Sequence, residues 1–174
     1  MSHMPEELKR RPGKSATEIR DAYDDEEAQD WEEGHWLKRR IEARTRRHQF
    51  GDADGRVLDV ACGTGANFRY LPDTADIIGV DVSRDMLNSA RREATELDQR
   101  VELEQMDAER LSFEANSFDH VISSLSTCTF PDPIAALNEM GRVCNPDGQI
   151  RLLEHHSGRP RGIERRGHQA KCII

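Results

Sequence analysis

The sequence predicts an α/β fold, an open parallel sheet of about five strands with helices on both faces. Three observations predict it. Short apolar runs alternate with segments of helical period from residue 51 to residue 156. The first run, Val57-Leu58-Asp59-Val60-Ala61, is apolar on both faces, as suits a central strand covered from either side, and it passes directly into Cys62-Gly63-Thr64-Gly65. Polar residues also recur where the runs end: Asp59 near the first turn, then Asp81, Asp107, Ser123 and Glu154-His155. In a parallel sheet those ends share one edge, the edge at which open α/β sheets bind ligands.

Residues 1–50 read as an N-terminal arm and a helical lid. Pro5, Pro12 and Gly13 break the arm, and a helical pattern begins at Thr17 and continues through Trp36, Leu37 and Ile41 toward Phe50. These helices either pack their aromatics on the sheet or close over its ligand edge with Tyr23 or Trp31. The run Arg39-Arg40, Arg44, Arg46-Arg47 reads as a solvated face paired with Glu32, Glu33 and Glu42.

Residues 51–156 form the ligand-binding core. After the glycine turn a short helix is expected from Asn67 to Leu71, stopped by Pro72, and a second strand from Ala75 to Val82. Ser83 caps the next helix, with Met86, Leu87, Ala90, Ala94 and Leu97 on one face. Val101, Leu103 and Gln105 alternate with Glu102, Glu104 and Met106 in a more exposed third strand. The fourth runs from Phe118 to Leu125. Asp132-Pro133 then opens a helix whose expected apolar stripe is Ile134, Leu137, Met140 and Val143. The turn Asn145-Pro146-Asp147-Gly148 precedes a fifth strand, Ile150 to Leu153.

Composition narrows the partners. A chain of 174 residues with net charge −8 is one domain, and its acidity argues against nonspecific binding to nucleic acid or anionic membranes. Lys9, Lys14, Lys38 and Lys171 are its only lysines, a balance that suits a salt-adapted or GC-rich source. Cys62, Cys128, Cys144 and Cys172 form no CxxC pair, so reduced thiols and no metal site are expected. No apolar run reaches the length of a membrane span, which points to a cytoplasmic chain without stable membrane insertion.

Asp81 follows Asp59 at about the twenty-residue spacing at which an acid meets a ribose hydroxyl in dinucleotide-type folds. Leu58-Asp59-Val60-Ala61-Cys62-Gly63-Thr64-Gly65 and Gly79-Val80-Asp81-Val82-Ser83 resemble the first two motifs of the class I S-adenosylmethionine-dependent methyltransferases. Met106-Asp107-Ala108 resembles their adenine motif and Phe118-Asp119-His120-Val121-Ile122-Ser123 their fourth-strand motif. Glu139-Met140-Gly141-Arg142-Val143 with Pro146-Asp147-Gly148 matches the helix and turn before the fifth strand. The resemblance covers residues 56–155 and is nearest to the ubiquinone/menaquinone and phospholipid methyltransferase branch.

That resemblance implies a Rossmann-like core that binds S-adenosyl-L-methionine and methylates a small-molecule acceptor. It implies that Gly63 and Gly65, with Ala61 beside them, pass under the methionine part of the cofactor, and that Asp59 helps hold the ammonium. Asp81 with Val82 would take the ribose, Asp107 with Ala108 the adenine, and Ser123 would present backbone near the methionine. A bland reading stays open for each acid; Asp59, for one, could simply cap the turn. His155 is the candidate base, or else a hydrogen-bonded structural histidine. A nucleotide-binding oxidoreductase is disfavoured because Phe68 stands where a dinucleotide fingerprint has its third glycine.

The match departs at two places. Ala61 replaces the first glycine of the family's turn, a variation expected to do little damage. Residues 157–174 are basic and irregular where the family has two further strands, so a C-terminally truncated fold is expected. The fifth strand would then be an exposed apolar edge that invites homodimerisation. The alternative function is a non-catalytic or degenerate S-adenosylmethionine-binding domain.

Overall fold

The computed structural model describes residues 36–154, with side chains from residue 43 onward. Tyr23, Trp31, His155, Cys172 and the basic tail lie outside the described residues. Helix α1 (Trp36–Phe50) leads into β1 (Arg56–Val60), a 3-10 turn (Phe68–Tyr70), β2 (Asp76–Asp81), α2 (Arg84–Glu96) and β3 (Val101–Gln105). Strand β4 (Phe118–Ser124), α3 (Pro133–Val143) and β5 (Cys144–Leu153) complete it. The strands form one five-stranded sheet in the order β3-β2-β1-β4-β5, parallel at every pairing. The chain steps outward from β1 to β3 and then returns to place β4 on the other side of β1. The sheet's switch point therefore lies between the carboxyl ends of β1 and β4.

Strand alternation sorts the core into two layers. Leu58, Val60, Ile78, Val80 and Val121 pack with Ala136, Met140 and Val143 of α3. Val57, Ile77 and Ile122 pack on the opposite face with Phe50 of α1, Phe68, and Leu87, Ala90 and Ala94 of α2. The α2 start is as expected: Ser83 Oγ accepts the Met86 N–H at 3.2 Å. Asp132 likewise caps α3, accepting from Ile134 N–H at 3.1 Å and Ala135 N–H at 3.2 Å.

Four local expectations change. The buried face of α3 is Ala136, Met140 and Val143, whereas Ile134 is 69% and Leu137 38% exposed. Ala136, Met140 and Val143 follow one another at i, i+4 and i+7 on the face that packs into the core, and Ile134 lies about 200° around the helix from Ala136. The short helix expected at 67–71 is a single 3-10 turn, because Asn67 turns its side chain inward instead of capping. The Asn145–Gly148 turn lies within β5 as a bulge. Phe118 pairs with Cys144 and His120 with Gln149, so Asp119 alone faces those turn residues.

The fourth change concerns Ala61. Its φ is +54°, in the left-handed region that an L side chain enters at a penalty of about 1 kcal/mol. The alanine is therefore a strained replacement for glycine. Gly65, at φ +83°, is also required for packing: a Cβ there would meet the Phe68 ring at 2.5 Å and the Ala90 Cα at 3.3 Å. Two substitutions in one turn should thus have opposite signs. Ala61→Gly should raise the unfolding free energy by about 0.5–1 kcal/mol, and Gly65→Ala should lower it by about 2–4 kcal/mol, read from urea denaturation midpoints.

Candidate functional site

The glycine turn leaves β1 at the switch point. Its shape is held from β2: Asp81 Oδ2 accepts the Gly63 N–H at 2.9 Å, and Oδ1 accepts the Ser83 N–H at 2.9 Å. One carboxylate thus joins the turn after β1 to the cap of α2 while remaining 8% exposed at the strand end. Gly63 has φ +55°, and a Cβ built on it would meet no atom within 4 Å. The turn therefore presents bare backbone to open space above the sheet edge. The two glycines divide the work: Gly65 makes room for Phe68 and α2, and Gly63 leaves room outside the protein core.

Asp59 lies deeper than the other acids of the edge. It is fully buried on the face of β1 that looks toward α1, where both of its oxygens accept from Asn67 Nδ2 at 3.1 Å. Both oxygens are engaged by Asn67, so toward the crevice Asp59 can act through its charge when ionised. The Asn67 carbonyl in turn accepts from Arg46 of α1 and from Ser124 Oγ at 3.1 Å, and Arg46 also donates to Ser124 Oγ at 2.9 Å. Arg46, read from sequence as part of a solvated face, is instead a partly buried link between α1 and the two strand ends. Nothing in its local spacing announces this, because its partners lie 21 and 78 residues away.

The remaining expected residues line the same edge. Ser123 is buried and donates from Oγ to the Val60 carbonyl at 2.7 Å, clamping β4 to the end of β1; it also hydrogen-bonds Ser126. Leu125, at φ +57°, turns the chain, and its N–H reaches the Leu153 carbonyl at 2.7 Å. Glu154 Oε1, just past β5, accepts from Ser126 N–H at 3.3 Å and Thr127 N–H at 3.1 Å, orienting the loop that carries the exposed Cys128. Beyond β3, Asp107 Oδ1 accepts the Glu109 N–H at 2.9 Å, with Ala108 buried beside it. The Val82 carbonyl accepts from Gln105 Nε2 at 2.9 Å, joining β2 to β3. Asp81, Asp107, Ser123 and Glu154 thus stand along one edge. Asp59 lies beneath it.

This geometry discriminates between cofactors. A pyrophosphate is best held at the amino end of a helix. Here Phe68 fills the position of the third fingerprint glycine, and a single 3-10 turn follows. Bare Gly63 backbone flanked by carboxylates suits a cationic ligand instead.

A family model described as a methyltransferase domain matches residues 57–148, from β1 to the bulge of β5. The chain belongs to this methyltransferase family. It is similar to phosphatidylethanolamine N-methyltransferase of Cereibacter sphaeroides, 36% identical over 58% of this chain and 51% of that protein. It is also similar to demethylmenaquinone methyltransferase of Staphylococcus aureus, 37% identical over 57% of this chain and 42% of that protein. Among solved structures it resembles the YcgJ protein of Bacillus subtilis, with 29% identity and TM-score 0.59 over 66% of this chain and 50% of that one. The chain thus spans about half the length of the curated relatives it matches.

The methyltransferase core is of the class I, S-adenosylmethionine-dependent kind, with the expected Rossmann-like parallel sheet. The residues fit that cofactor. The open cradle at Gly63 has the bare backbone it needs, and the donor set is anionic, as an ammonium and a sulfonium require. No helix among the described residues is long and apolar enough to cross a membrane.

Burial, opposed by the Asn67 bond and the Arg46 charge and helped to a lesser degree by Asp81, holds the Asp59 carboxyl up at about 7. Burial, with Asp59 and Asp81 nearby, also pushes the Cys62 thiol well above its usual range, so Cys62 is a protonated, unreactive neighbour. A carboxyl held at about 7 rather than 3.8 binds its proton more tightly in the folded chain than in the unfolded one. Its ionisation therefore destabilises the fold: the penalty is absent below about pH 4, grows through the interval, and is complete, on the order of 4 kcal/mol, above about pH 7. Asp59→Asn should accordingly raise the melting temperature most at about pH 8, by less than half as much at about pH 5, and leave it nearly unchanged below about pH 4, measured by thermal denaturation without ligand.

Proposed function

We propose that this chain transfers a methyl group from S-adenosylmethionine to a small-molecule acceptor in the cytoplasm. The observation that carries the proposal is the open Gly63 backbone at the switch point, held by Asp81 and underlain by the buried charge of Asp59. When bound, the cofactor would supply an electrophilic methyl carbon, to which the acceptor's lone pair bonds in line as the carbon–sulfur bond breaks and S-adenosylhomocysteine leaves. The chain's own contribution is placement and charge. Gly63 lets the methionine part lie against main chain, Asp81 and Val82 meet the ribose, and Asp107 with Ala108 meets the adenine. Ser123, and Ala61 at the end of β1, shape the floor under the methionine.

No protein nucleophile is needed for such a displacement, because positioning and exclusion of water lower the barrier. Where the acceptor must lose a proton, we assign the base to His155, which follows Glu154. Tyr23 is assigned to the lid over the cofactor. The acceptor class rests on the names of the two curated relatives, a phosphatidylethanolamine N-methyltransferase and a demethylmenaquinone methyltransferase, and on the acidity that disfavours nucleic acid. Pairing of two β5 edges is the route we propose for a homodimer, since β5 closes one side of the described sheet.

Calorimetric titration with S-adenosylmethionine, S-adenosylhomocysteine and NAD tests the cofactor reading. Both sulfur ligands should bind in about the micromolar range and NAD should not. Asp81→Ala should abolish binding and also lower the melting temperature, because it releases Gly63 and Ser83. Gly63→Ala should weaken binding at least about tenfold by filling the cradle, and should lower the unfolding free energy by about 1 kcal/mol because its φ of +55° strains an L side chain, although the added Cβ meets no protein atom within 4 Å. A folded wild-type chain that ignores both sulfur ligands overturns the reading. Binding without turnover of any acceptor would make it a cofactor-binding domain rather than an enzyme.

A further inference from the structure

The crevice at the switch point has two walls that are far apart in sequence, the glycine turn after β1 and the end of β4. The Arg46 guanidinium reaches both. It donates to the Asn67 carbonyl on one wall and to Ser124 Oγ at 2.9 Å on the other, and Ser124 closes the triangle on Asn67 at 3.1 Å. We propose that Arg46 is a positioning residue: it staples the two walls together through Asn67 and Ser124, so the cofactor crevice takes its binding shape only while α1 is docked. The proposal deepens the cofactor reading above and rests on it for its effect on ligand affinity.

The staple works through the orientation of one amide. Asn67 is buried, with its NH2 turned to the two Asp59 oxygens and its carbonyl turned to Arg46. The opposite flip would set NH2 against the guanidinium and the carbonyl against the carboxylate, unfavourable at both ends. A cation on one side and an anion on the other therefore fix the amide. Asn67 in turn seats the turn, whose Gly65 N–H bonds the Cys62 carbonyl at 2.9 Å and whose Phe68 N–H bonds the Gly65 carbonyl at 3.0 Å.

Arg46 also sets when Asp59 is charged. The groups that act on Asp59 are Asn67 from the turn, Arg46 from α1 and Asp81 from β2, and among them Arg46 is the one cation; the neighbouring Cys62 thiol stays protonated. Removing it leaves burial and Asp81 to favour the protonated acid. The Asn67 carbonyl is then left to Ser124 Oγ alone, and protonation of Asp59 leaves Asn67 Nδ2 a weaker, neutral acceptor in place of a carboxylate. A residue that merely packed α1 onto the sheet would not move this titration.

The test uses the full chain with Arg46→Met, Arg46→Lys, Ser124→Ala and, as a control on the exposed face of the same helix, Arg44→Ala. Three quantities are read: amide exchange of Gly65 and Phe68 without ligand, the carboxyl titration of Asp59 by carbon NMR without ligand, and affinity for S-adenosylhomocysteine across the neutral pH range. In Arg46→Met, exchange at both amides should accelerate by about tenfold or more, the Asp59 midpoint should rise, and affinity near pH 7 should fall by about tenfold. Arg46→Lys should keep the wild-type midpoint and recover part of the affinity. Ser124→Ala, which removes only the β4 arm, should accelerate exchange partially, and Arg44→Ala should change nothing.

Wild-type exchange and midpoint in Arg46→Met overturn the proposal, as does a midpoint shift in Arg46→Lys equal to that in Arg46→Met. If Arg46→Met fails to fold, Ser124→Ala decides: unchanged exchange at Gly65 and Phe68 overturns the staple. A wild-type chain that does not bind S-adenosylhomocysteine overturns the cofactor reading alone, because the exchange and titration are measured without it.

Discussion

A carboxylate sealed from water lies at the base of the ligand edge, and the polar groups above it are arranged around that charge. Asp59 sits on a strand flanked by parallel neighbours on both sides, where apolar residues surround it and solvent does not reach. A buried charge demands partners, and each partner here comes from a different element: Asn67 from the turn and, beyond it, Arg46 from α1 and Ser124 from β4. Satisfying one acid thereby joins three segments that the hydrophobic core alone would leave free to shift. The same charge makes the fold less stable near neutral pH than its packing would allow, which is the usual relation between a binding site and the stability around it.

The turn above Asp59 reverses direction through alternating left-handed residues, Ala61, Gly63 and Gly65. Their side-chain space is used in three ways: a tolerated methyl at Ala61, open space at Gly63, and ring and helix contact at Gly65. Phe68 fills the place where a dinucleotide fold would bring a helix close. This wedge is what turns a generic glycine turn into one suited to a cationic, carboxylate-bound cofactor.

Much of the architecture was legible because its signals are local. Ser83 and Asp132 mark their helices by caps a few residues long, and β1 and β2 are apolar on both faces because helices cover both. The ligand edge was legible because each strand of a parallel sheet ends on the same side. What escaped was phase and distance. Ile134 and Leu137 are apolar but lie off the buried face, since the stripe that packs on the sheet is Ala136, Met140 and Val143, spaced i, i+4 and i+7. Asn67 was read as a helix residue because its true partner, Asp59, lies behind it on the strand. Arg46 sits among four other arginines and differs from them only through contacts that the folded chain creates.

The bulge of β5 separates the register of the strand from the length of its loop. Pairing on one side of it is set by Phe118 with Cys144, and on the other by His120 with Gln149, so neither register depends on the loop between them. Its ends are tied to Asp119: Asn145 Nδ2 donates to Oδ1 at 2.8 Å, and a Cβ on Gly148 would stand 2.6 Å from the Asp119 carbonyl. Pro146 and Asp147 at the tip are exposed. Extra length placed between those two residues would therefore be taken up as slack, and the strand beyond would keep its alternation, with Arg151 turned to α1 and Glu154 to the loop after β4.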